Sequence, residues 1–225
     1  ERHKKNIFLL EMDIKNFFGS IKEKQVYTLF CNIGYNNKVA GVLANLCTYN
    51  GYLPQGAVTS PYIANLVCYH MDARINGYCS RKDIVYTRYA DDLTFSSNNR
   101  TLLNRIENFI KYIVMDEGFT INDKKTRYLS NDVKKTVTGI TINDGGIHVD
   151  KKFKRDLRAQ IYCSIKSMDY KDNNQILGKI AYINSIEEGF RGKVVQYITN
   201  IIKKTIFTHN IAVVNAFNEN KLFAE

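Results

Sequence analysis

The sequence predicts an α+β fold in which an antiparallel sheet with packed helices precedes an all-helical module. The first observation is a short apolar run at residues 7–13 that ends in an acid, which is typical of a buried strand. The second is a pair of hairpin signals, each formed by two β-rich runs around a short turn. One spans residues 84–97 around Ala-Asp-Asp, and the other joins 137–142 to 147–149 through Asp-Gly-Gly. The third is helical spacing in the stretches after residue 150.

Apolar residues at helical spacing predict the helices. Ser20 is expected to cap the first of them, and Ser60-Pro61 combines a capping hydroxyl with proline at the first helical position. The helix that begins there is expected to end before Asn76-Gly77, and Gly118 is expected to close a later one. The expected helices cover residues 21–31, 37–49, 60–75, 102–115, 151–168, 174–187 and 191–206.

Length and composition indicate a globular chain with a boundary near residue 150. The 225 residues are 44% hydrophobic and 24% charged and include only two prolines, so disorder is not expected. We expect a sheet-containing domain at residues 1–149 and a helical domain at residues 150–225. No apolar run is long enough to cross a bilayer, so no transmembrane span is expected. A membrane is not among the expected partners.

The charge balance favours a polyanionic partner. The chain has 32 Lys and Arg residues against 22 Asp and Glu residues, a formal net charge of +10. Because neutralising phosphates releases condensed counterions, nucleic acid is the favoured partner. A membrane surface or plain solubility is also compatible with this excess.

The five cysteines carry no pattern of a metal site. No two are spaced as C-x-x-C, and no pair of histidines completes a zinc pattern. Their odd number and the lack of a secretory signal predict a cytoplasmic protein.

Three acids are candidates for a metal site. Asp13 ends the first apolar strand, and Asp91 and Asp92 lie at the tip of the first hairpin. Nucleotidyl transfer uses two cations, and Mg²⁺ prefers carboxylate oxygens that converge from separate strands. Acids are also common in turns because Asp tolerates turn geometry, so the spacing alone leaves both interpretations open.

Four motifs in order resemble the reverse transcriptase family over nearly the whole chain. Residues 89–92, Tyr-Ala-Asp-Asp, match its Y-x-D-D signature, and residues 13–18 are similar to its D-I/L-x-x-F-F motif. Residues 51–65 resemble G-x-L-P-Q-G-x-x-x-S-P-x-x-x-N, and residues 118–126 resemble G-x-x-x-N-x-x-K-T. The resemblance implies a polymerase right-hand palm at residues 1–149 and a helical thumb at residues 150–225. The fingers that precede the palm in the family are largely missing from this sequence.

The resemblance also implies residue roles at the catalytic centre. Asp13 and Asp91 would be the principal ligands of two Mg²⁺ ions, with Asp92 assisting, and Ile14 is assigned to both the metal and the nucleotide sites. Phe18 matches the steric gate that excludes the 2′-OH, the group that distinguishes RNA from DNA precursors. Phe17 and Phe18 are otherwise both candidates for the core.

Further roles concern the incoming deoxynucleoside triphosphate. Gln55 matches a residue that the family places beside the nucleotide, and Gly56 would allow close approach of the backbone. An ordinary turn before a helix is the alternative. Lys125 resembles the motif lysine that protonates or neutralises the leaving pyrophosphate, with Lys124 as an alternative and a solvated lysine pair as a third interpretation.

The helix after residue 150 has a basic face that a thumb would use to contact template–primer phosphates. A solvated helix face is the alternative. The basic residues are Lys151, Lys152, Lys154, Arg155 and Arg158. Four tyrosines are candidates either to stack on single-stranded bases or to pack in the core: Tyr162, Tyr170, Tyr182 and Tyr197.

Within the family, the sequence resembles the retron reverse transcriptases of bacteria. Residues 137–139 match their V-T-G triplet, and residues 1–3 resemble the end of their N-A-x-x-H element. This implies a structured RNA as template and primer, a branched RNA–DNA product (msDNA), a co-encoded effector protein and a role in anti-phage defence. Group II intron-type reverse transcriptases and maturases share many of these motifs, and a non-catalytic RNA-binding scaffold with the same fold is the alternative from another class.

Overall fold

Strand β1 (Phe8–Asp13) lies inside a four-stranded antiparallel sheet that positions the acidic residues. The computed structural model describes residues 1–143 and 145–205, and the chain divides into two units, Glu1–Lys135 and Thr136–Glu225. In the first unit, β1 pairs with β3 on one side and β4 on the other, while β2 pairs with the far side of β3. These strands are β2 (Val85–Tyr89), β3 (Asp92–Ser97) and β4 (Arg127–Leu129).

Helices bury an apolar stripe against one face of this sheet. Leu10 and Met12 of β1 are buried in one cluster with residues of the helices, because alternate residues of a strand face the same side. Each such buried side chain stabilises the fold by about 1.5–3 kcal/mol. The helices are α1 (Phe17–Ser20), α2 (Glu23–Ile33), α3 (Asn37–Cys47), α4 (Ser60–Val67), α5 (Tyr69–Ser80) and α6 (Arg100–Asp116), followed by a 3-10 turn at Asp123–Lys125.

The stripe predicted on α6 is confirmed. Leu103, Ile106, Ile110 and Ile113 are all buried in the core of the first unit. Gly118, which follows the Glu117 cap of the helix, has a φ of 86° and so occupies the left-handed conformation expected at a helix end.

Two predicted helix caps are wrong. The Ser20 hydroxyl donates to the backbone of Asn16 at 2.8 Å, and α2 instead begins after Lys22, whose N–H donates to the Gln25 side chain at 2.9 Å. Ser60 is the first residue of α4, and its hydroxyl donates to the Pro54 carbonyl at 2.6 Å. In both cases the serine hydroxyl donates to a backbone carbonyl rather than accepting an N–H of the helix: the carbonyl of the Asn16 cap of α1 for Ser20, and a loop carbonyl for Ser60.

The predicted helix over residues 60–75 is two helices. The helix is interrupted at Cys68, between α4 and α5, and α5 continues through Asn76-Gly77 to Ser80. The turn-forming pair is accommodated because Ile75 and Cys79 on the same helix are fully buried, and this packing outweighs the weak local preference.

The second unit contains a small antiparallel sheet and three helices among the residues that the structure describes. The predicted strand at 137–142 is two strands, because Thr138 and Gly139 both have positive φ and form a tight turn. The sheet order is β5-β6-β7, and its predicted turn residue Asp144 lies outside the described residues. The elements are β5 (Thr136–Val137), β6 (Ile140–Thr141), β7 (His148–Val149), α7 (Lys151–Ser167), α8 (Asn173–Ile186) and α9 (Phe190–Thr205).

The helices of the second unit share a core with the strand that precedes them. Val149 of β7 is buried with Leu157 and Ile161 of α7, Ile180 of α8 and Val194 of α9. The units therefore divide after Lys135 and not after residue 149, since the small sheet belongs with the helices. The assignment of residues 1–149 and 150–225 as palm and thumb stays a prediction. Over the described residues, none of the helices combines the length and apolarity needed to cross a bilayer.

A buried histidine ties the N-terminal residues to the first sheet. His3 is 4% exposed, and its ring nitrogens lie 2.8 Å from the Ser96 hydroxyl and 2.7 Å from the Thr87 hydroxyl. Asn6 also donates to Ser96, at 2.7 Å. Burial, with a smaller contribution from nearby positive charge that includes Arg2, lowers the pKa of His3 from 6.5 to about 4. His3 is therefore neutral in the folded protein at physiological pH.

We expect the free energy of unfolding to fall as the pH is lowered from about 6.5 to about 4, because the unfolded chain binds a proton at His3 that the folded chain excludes. The loss is at most about 1.4 kcal/mol per pH unit across this interval, and none arises from His3 above it. Urea unfolding at several pH values measures it. His3→Gln should lose this part of the pH dependence, and His70→Gln, which changes an exposed histidine, should retain it. Equal slopes for wild type and His3→Gln would contradict the assignment.

Candidate catalytic centre

The pairing of β1 with β3 brings the three predicted acids together. Asp13 and Asp92 are direct partners in the antiparallel register. Asp91 lies in the two-residue connection between β2 and β3, and its carbonyl accepts the N–H of Ile14 at 2.9 Å. Residues separated by 78 positions in the sequence therefore share one end of the sheet.

The Asp13 carboxylate is held by two partners from the segment after α6. Lys125 Nζ lies 2.8 Å from its Oδ2, and Asn122 Nδ2 donates to its Oδ1 at 3.3 Å. The Asn122 N–H also donates to the Asp13 carbonyl at 2.7 Å, which fixes the start of the 3-10 turn beside the strand. Asp13 is 7% exposed, so these contacts supply the hydrogen bonds that a buried carboxylate requires.

Negative charge accumulates at Asp92. Burial, then Asp91 and Asp13, raise the pKa of the Asp92 carboxyl above its usual value, while Lys125 and Arg127 act in the opposite direction. The Lys125 pKa is itself raised, first by its hydrogen bond to Asp13 and then by the charges of the acids. The end of the sheet is therefore a place where acids repel one another and cations are stabilised.

The side chains do not form a closed metal cage. In the ranges 1–143 and 145–205 no group of three or more His, Cys, Asp or Glu side chains is arranged to hold a metal ion. The Asp13 carboxylate contacts Lys125 instead. Carboxylate oxygens are the donors that a hard divalent cation prefers, and the backbones of the three acids lie together at one end of the sheet. Asp13, Asp91 and Asp92 therefore stay the predicted ligands. The Ile14 side chain is buried in the core, which leaves only its backbone for either predicted role.

The adjacent phenylalanines have different environments. Phe17 is 4% exposed and belongs to the core, whereas Phe18 is half-buried and packs against that core. Their rings meet edge to face with centroids 5.3 Å apart. Phe17 is therefore the core residue of the pair, and Phe18 is the one with surface left for a ligand.

The predicted nucleotide residues lie in the loop before α4. Gln55 and Gly56 are exposed, and Gly56 has a φ of 93°, a conformation that favours glycine. The loop is fixed on one side by buried Leu53 and on the other by the bond from Ser60 to Pro54. The 3-10 turn contains both candidate lysines, of which Lys125 contacts Asp13 and Lys124 is exposed.

One of the predicted basic residues of the helical unit forms an ion pair inside that unit. Lys154 Nζ binds both carboxylate oxygens of Glu187, at 2.8 and 3.0 Å, and Glu187 also accepts the Val149 N–H. The other predicted basic residues of α7 are exposed: Lys151, Lys152, Arg155 and Arg158. Of the four tyrosines, Tyr162 and Tyr182 are exposed, while Tyr170 and Tyr197 are half-buried and pack against the core.

Two residues that contact the site were not assigned a role from the sequence. Asn122 is part of the G-x-x-x-N-x-x-K-T motif, and its spacing of three from Lys125 was the signal that both could meet Asp13 across one turn. Arg88 lies within the strand before the acids and hydrogen-bonds to the Ala90 carbonyl at 3.1 Å. A single arginine in a strand gives no local signal of which distant side chains it contacts.

Comparison with known proteins identifies the family. The family model described as reverse transcriptase (RNA-dependent DNA polymerase) matches residues 1–142. The retron Ec86 reverse transcriptase of Escherichia coli is 33% identical over 200 residues, covering 88% of this chain and 61% of that protein. The retron Mx65 reverse transcriptase of Myxococcus xanthus is 33% identical over 197 residues, covering 79% and 46%. The chain thus spans about half to two thirds of the length of these relatives.

Solved structures show the same fold. Telomerase from Candida albicans, in complex with a fragment of telomeric RNA, matches with a TM-score of 0.61 at 11% identity, covering 96% of this chain and 52% of that one. Apo telomerase from Candida tropicalis matches with a TM-score of 0.54 at 13% identity, covering 92% and 47%. The fold is the polymerase right hand predicted from the sequence. The chain belongs to the reverse transcriptase family and is of the retron type.

Proposed function

We propose that the chain carries the catalytic centre of an RNA-directed DNA polymerase. The observation that supports this most is the meeting of Asp13 with Asp91 and Asp92 at one end of β1 and β3. Carboxylates from separate strands are what the chemistry of nucleotidyl transfer needs, and the membership of the family agrees with it.

We propose two Mg²⁺ ions as the cofactor. When bound, they would activate the attacking 3′-OH and steady the leaving pyrophosphate. Asp13 and Asp91 would be the principal ligands, with Asp92 assisting. The pKa of Asp92 is raised first by burial and then by repulsion from Asp91 and Asp13, and a bound cation would relieve that repulsion. Only the Ile14 carbonyl is available from that residue, because its side chain is in the core.

Lys125 is the proposed partner of the leaving group. Its side chain is 59% exposed although its amine contacts Asp13, so the amine can leave the acid and reach a phosphate nearby. An ammonium with a raised pKa stays protonated at neutral pH and can neutralise or protonate the pyrophosphate. The contact with Asp13 favours Lys125 over Lys124 for this role.

The deoxynucleotide is proposed to lie between Phe18 and the loop before α4. The Phe18 ring packs edge to face against Phe17, and this contact would hold it in place to exclude a 2′-OH. Gln55 is exposed and can donate to and accept from sugar and phosphate oxygens. Gly56 adds no side chain between backbone and ligand.

We propose that the RNA is a structured retron RNA that serves as template and primer, with a branched RNA–DNA (msDNA) as product. The relatives named retron reverse transcriptases support this. The exposed basic residues of α7 suit contacts to template–primer phosphates that carry no sequence information. A co-encoded effector protein and a role in anti-phage defence belong to the same proposal.

A non-catalytic RNA scaffold is the second candidate. The observation in its favour is that the Asp13 carboxylate is paired with Lys125 rather than arranged with the other acids as a cage. The three acids are nevertheless all present, which a scaffold does not require. The following experiment separates the two.

Primer extension on an RNA template by the full-length protein should require the acids. We expect Asp13→Asn, Asp91→Asn and Asp92→Asn each to reduce the extension rate by about 100-fold or more, the scale of loss when a transition-state contact is removed. Asp83→Asn is the matched control, because Asp83 is an exposed acid in the turn before β2. Extension that is equal in all four variants and wild type, or absent from wild type, favours the scaffold.

Phe18→Ala should admit ribonucleotides. Removing the ring leaves room for the 2′-OH, so we expect the preference for deoxynucleotides to fall by about 10- to 100-fold, while their own incorporation changes less. Single-nucleotide incorporation with paired ribo- and deoxynucleotides measures the ratio. Phe109→Ala, which removes a half-exposed ring on α6, should leave it unchanged. An unchanged ratio in Phe18→Ala would remove the residue from the site.

The nucleic acid that copurifies with the full-length protein tests the retron proposal. We expect a short DNA joined covalently to a structured RNA through a 2′ branch. Sequencing before and after treatment with a debranching enzyme identifies it. A spliced intron RNA in its place would assign the protein to the group II intron type, and RNA without DNA would support the scaffold.

A further inference from the structure

A buried arginine lies directly before the acidic turn. Arg88 is on β2, two residues before Ala90, and its side chain is 6% exposed. Because a buried guanidinium is costly unless its N–H groups are paired, the identity of its partners determines what it does.

Arg88 joins three elements. Its Nε and Nη2 bind the Asp72 carboxylate of α5 at 2.9 and 2.7 Å, a two-pronged contact that fixes the plane of the guanidinium. Its Nη1 donates to Asn65 of α4 and to the carbonyl of Ala90, both at 3.1 Å. The guanidinium carbon also lies 5.9 Å from the centre of the Phe17 ring. One side chain therefore connects two helices to the turn that bears the acids.

The turn is held in an uncommon conformation. Ala90 has a φ of 52°, and only two residues connect β2 to β3. Tight hairpin turns favour glycine or asparagine at such a position, because a Cβ disfavours the left-handed region. The carbonyls of both turn residues are engaged: Ala90 accepts from Arg88, and Asp91 accepts from Ile14.

We propose that Arg88, oriented by Asp72 and Asn65, is a positioning residue that fixes the Ala90–Asp91 turn and so aims the carboxylates of Asp91 and Asp92 toward Asp13. The proposal rests on the proposed function in taking these acids as the catalytic centre. It goes further in making their geometry depend on a side chain that touches neither nucleotide nor ion.

A purely structural role for Arg88 gives a different expectation. An ion pair that only joins β2 to α5 needs one cation near Asp72, and Tyr86 already donates to the same carboxylate at 2.8 Å. Lysine would supply that cation. It cannot also span Asn65 and the Ala90 carbonyl, because it presents a single flexible ammonium in place of a planar fork. Arg88→Lys therefore separates the two roles.

The test compares Arg88→Lys with Arg74→Lys in the full-length protein. Arg74 is the matched control, since it lies on α5 and its Nη1 contacts two carboxylates, Asp116 and Glu117, at 2.6 Å each. We expect Arg88→Lys to lower kcat for primer extension by about 100-fold, the effect of misplacing a catalytic group by about 1 Å. KM for template–primer should stay within about twofold, because those contacts lie elsewhere.

Two readouts do not depend on catalysis. Mn²⁺ binding, followed by the electron paramagnetic resonance signal of the free ion, should weaken by about tenfold in Arg88→Lys, as when a group supporting metal ligands is lost. Hydrogen exchange of the Ile14 amide, which donates to Asp91, should be faster. Asn65→Ala keeps the Asp72 pair and should change both readouts in the same direction by less.

The outcomes divide clearly. The proposal is overturned if Arg88→Lys matches Arg74→Lys in kcat, Mn²⁺ binding and Ile14 exchange. It is also overturned if activity falls only in proportion to the unfolded fraction, with Mn²⁺ affinity per folded molecule unchanged. If Arg88→Lys does not fold, Asn65→Ala with wild-type values overturns it. Wild-type protein that binds Mn²⁺ but extends no primer defeats the proposed function and leaves the Mn²⁺ and exchange comparisons as the test of Arg88.

Discussion

The pairing register between β1 and β3 determines where the proposed catalytic acids lie. Asp13 lies opposite Asp92 because Phe8 pairs with Ser97 and the pairing continues without interruption to the end of β1. A slip of one residue would move every side chain of β1 to the opposite face of the sheet, placing Leu10 and Met12 outside the core and Asp13 inside it. The apolar core that holds the register therefore also determines where the acids lie.

The accumulated negative charge is the second physical feature, and it explains the cations around it. Lys125 contacts Asp13, and the positive charges of Lys125 and Arg127 oppose the rise in the Asp92 pKa. A site that places acids together must stabilise them by positive charge of some kind. Lys125 supplies it in the structure, and we propose that divalent ions and Lys125 share this task during polymerisation.

The positions of the acids could be predicted from the sequence, whereas most of the contacts that support them could not. Acids at strand ends and hairpin tips are local signals, so the strand ending at Asp13 and the hairpin carrying Asp91 and Asp92 were found at the predicted places. The hydrogen-bond partners of Arg88 were not predicted, because Asp72 and Asn65 are 16 and 23 residues away and contact it only through helix packing. Strand β4 was also missed, since three residues paired to β1 have no pattern of their own. The serine caps were wrong because backbone carbonyls of the preceding residues compete for the same hydroxyls.

We propose that the acids of β1 and of the β2–β3 turn bind divalent ions at one end of the sheet. Crystals of the full-length protein soaked in Mn²⁺, with diffraction recorded at the manganese absorption edge, test it most directly. We expect anomalous density between Asp13 and Asp91, with the Lys125 amine displaced from the Asp13 carboxylate that it contacts in this structure. Density only at unrelated surface acids, with the Lys125–Asp13 pair intact at saturating Mn²⁺, would contradict it.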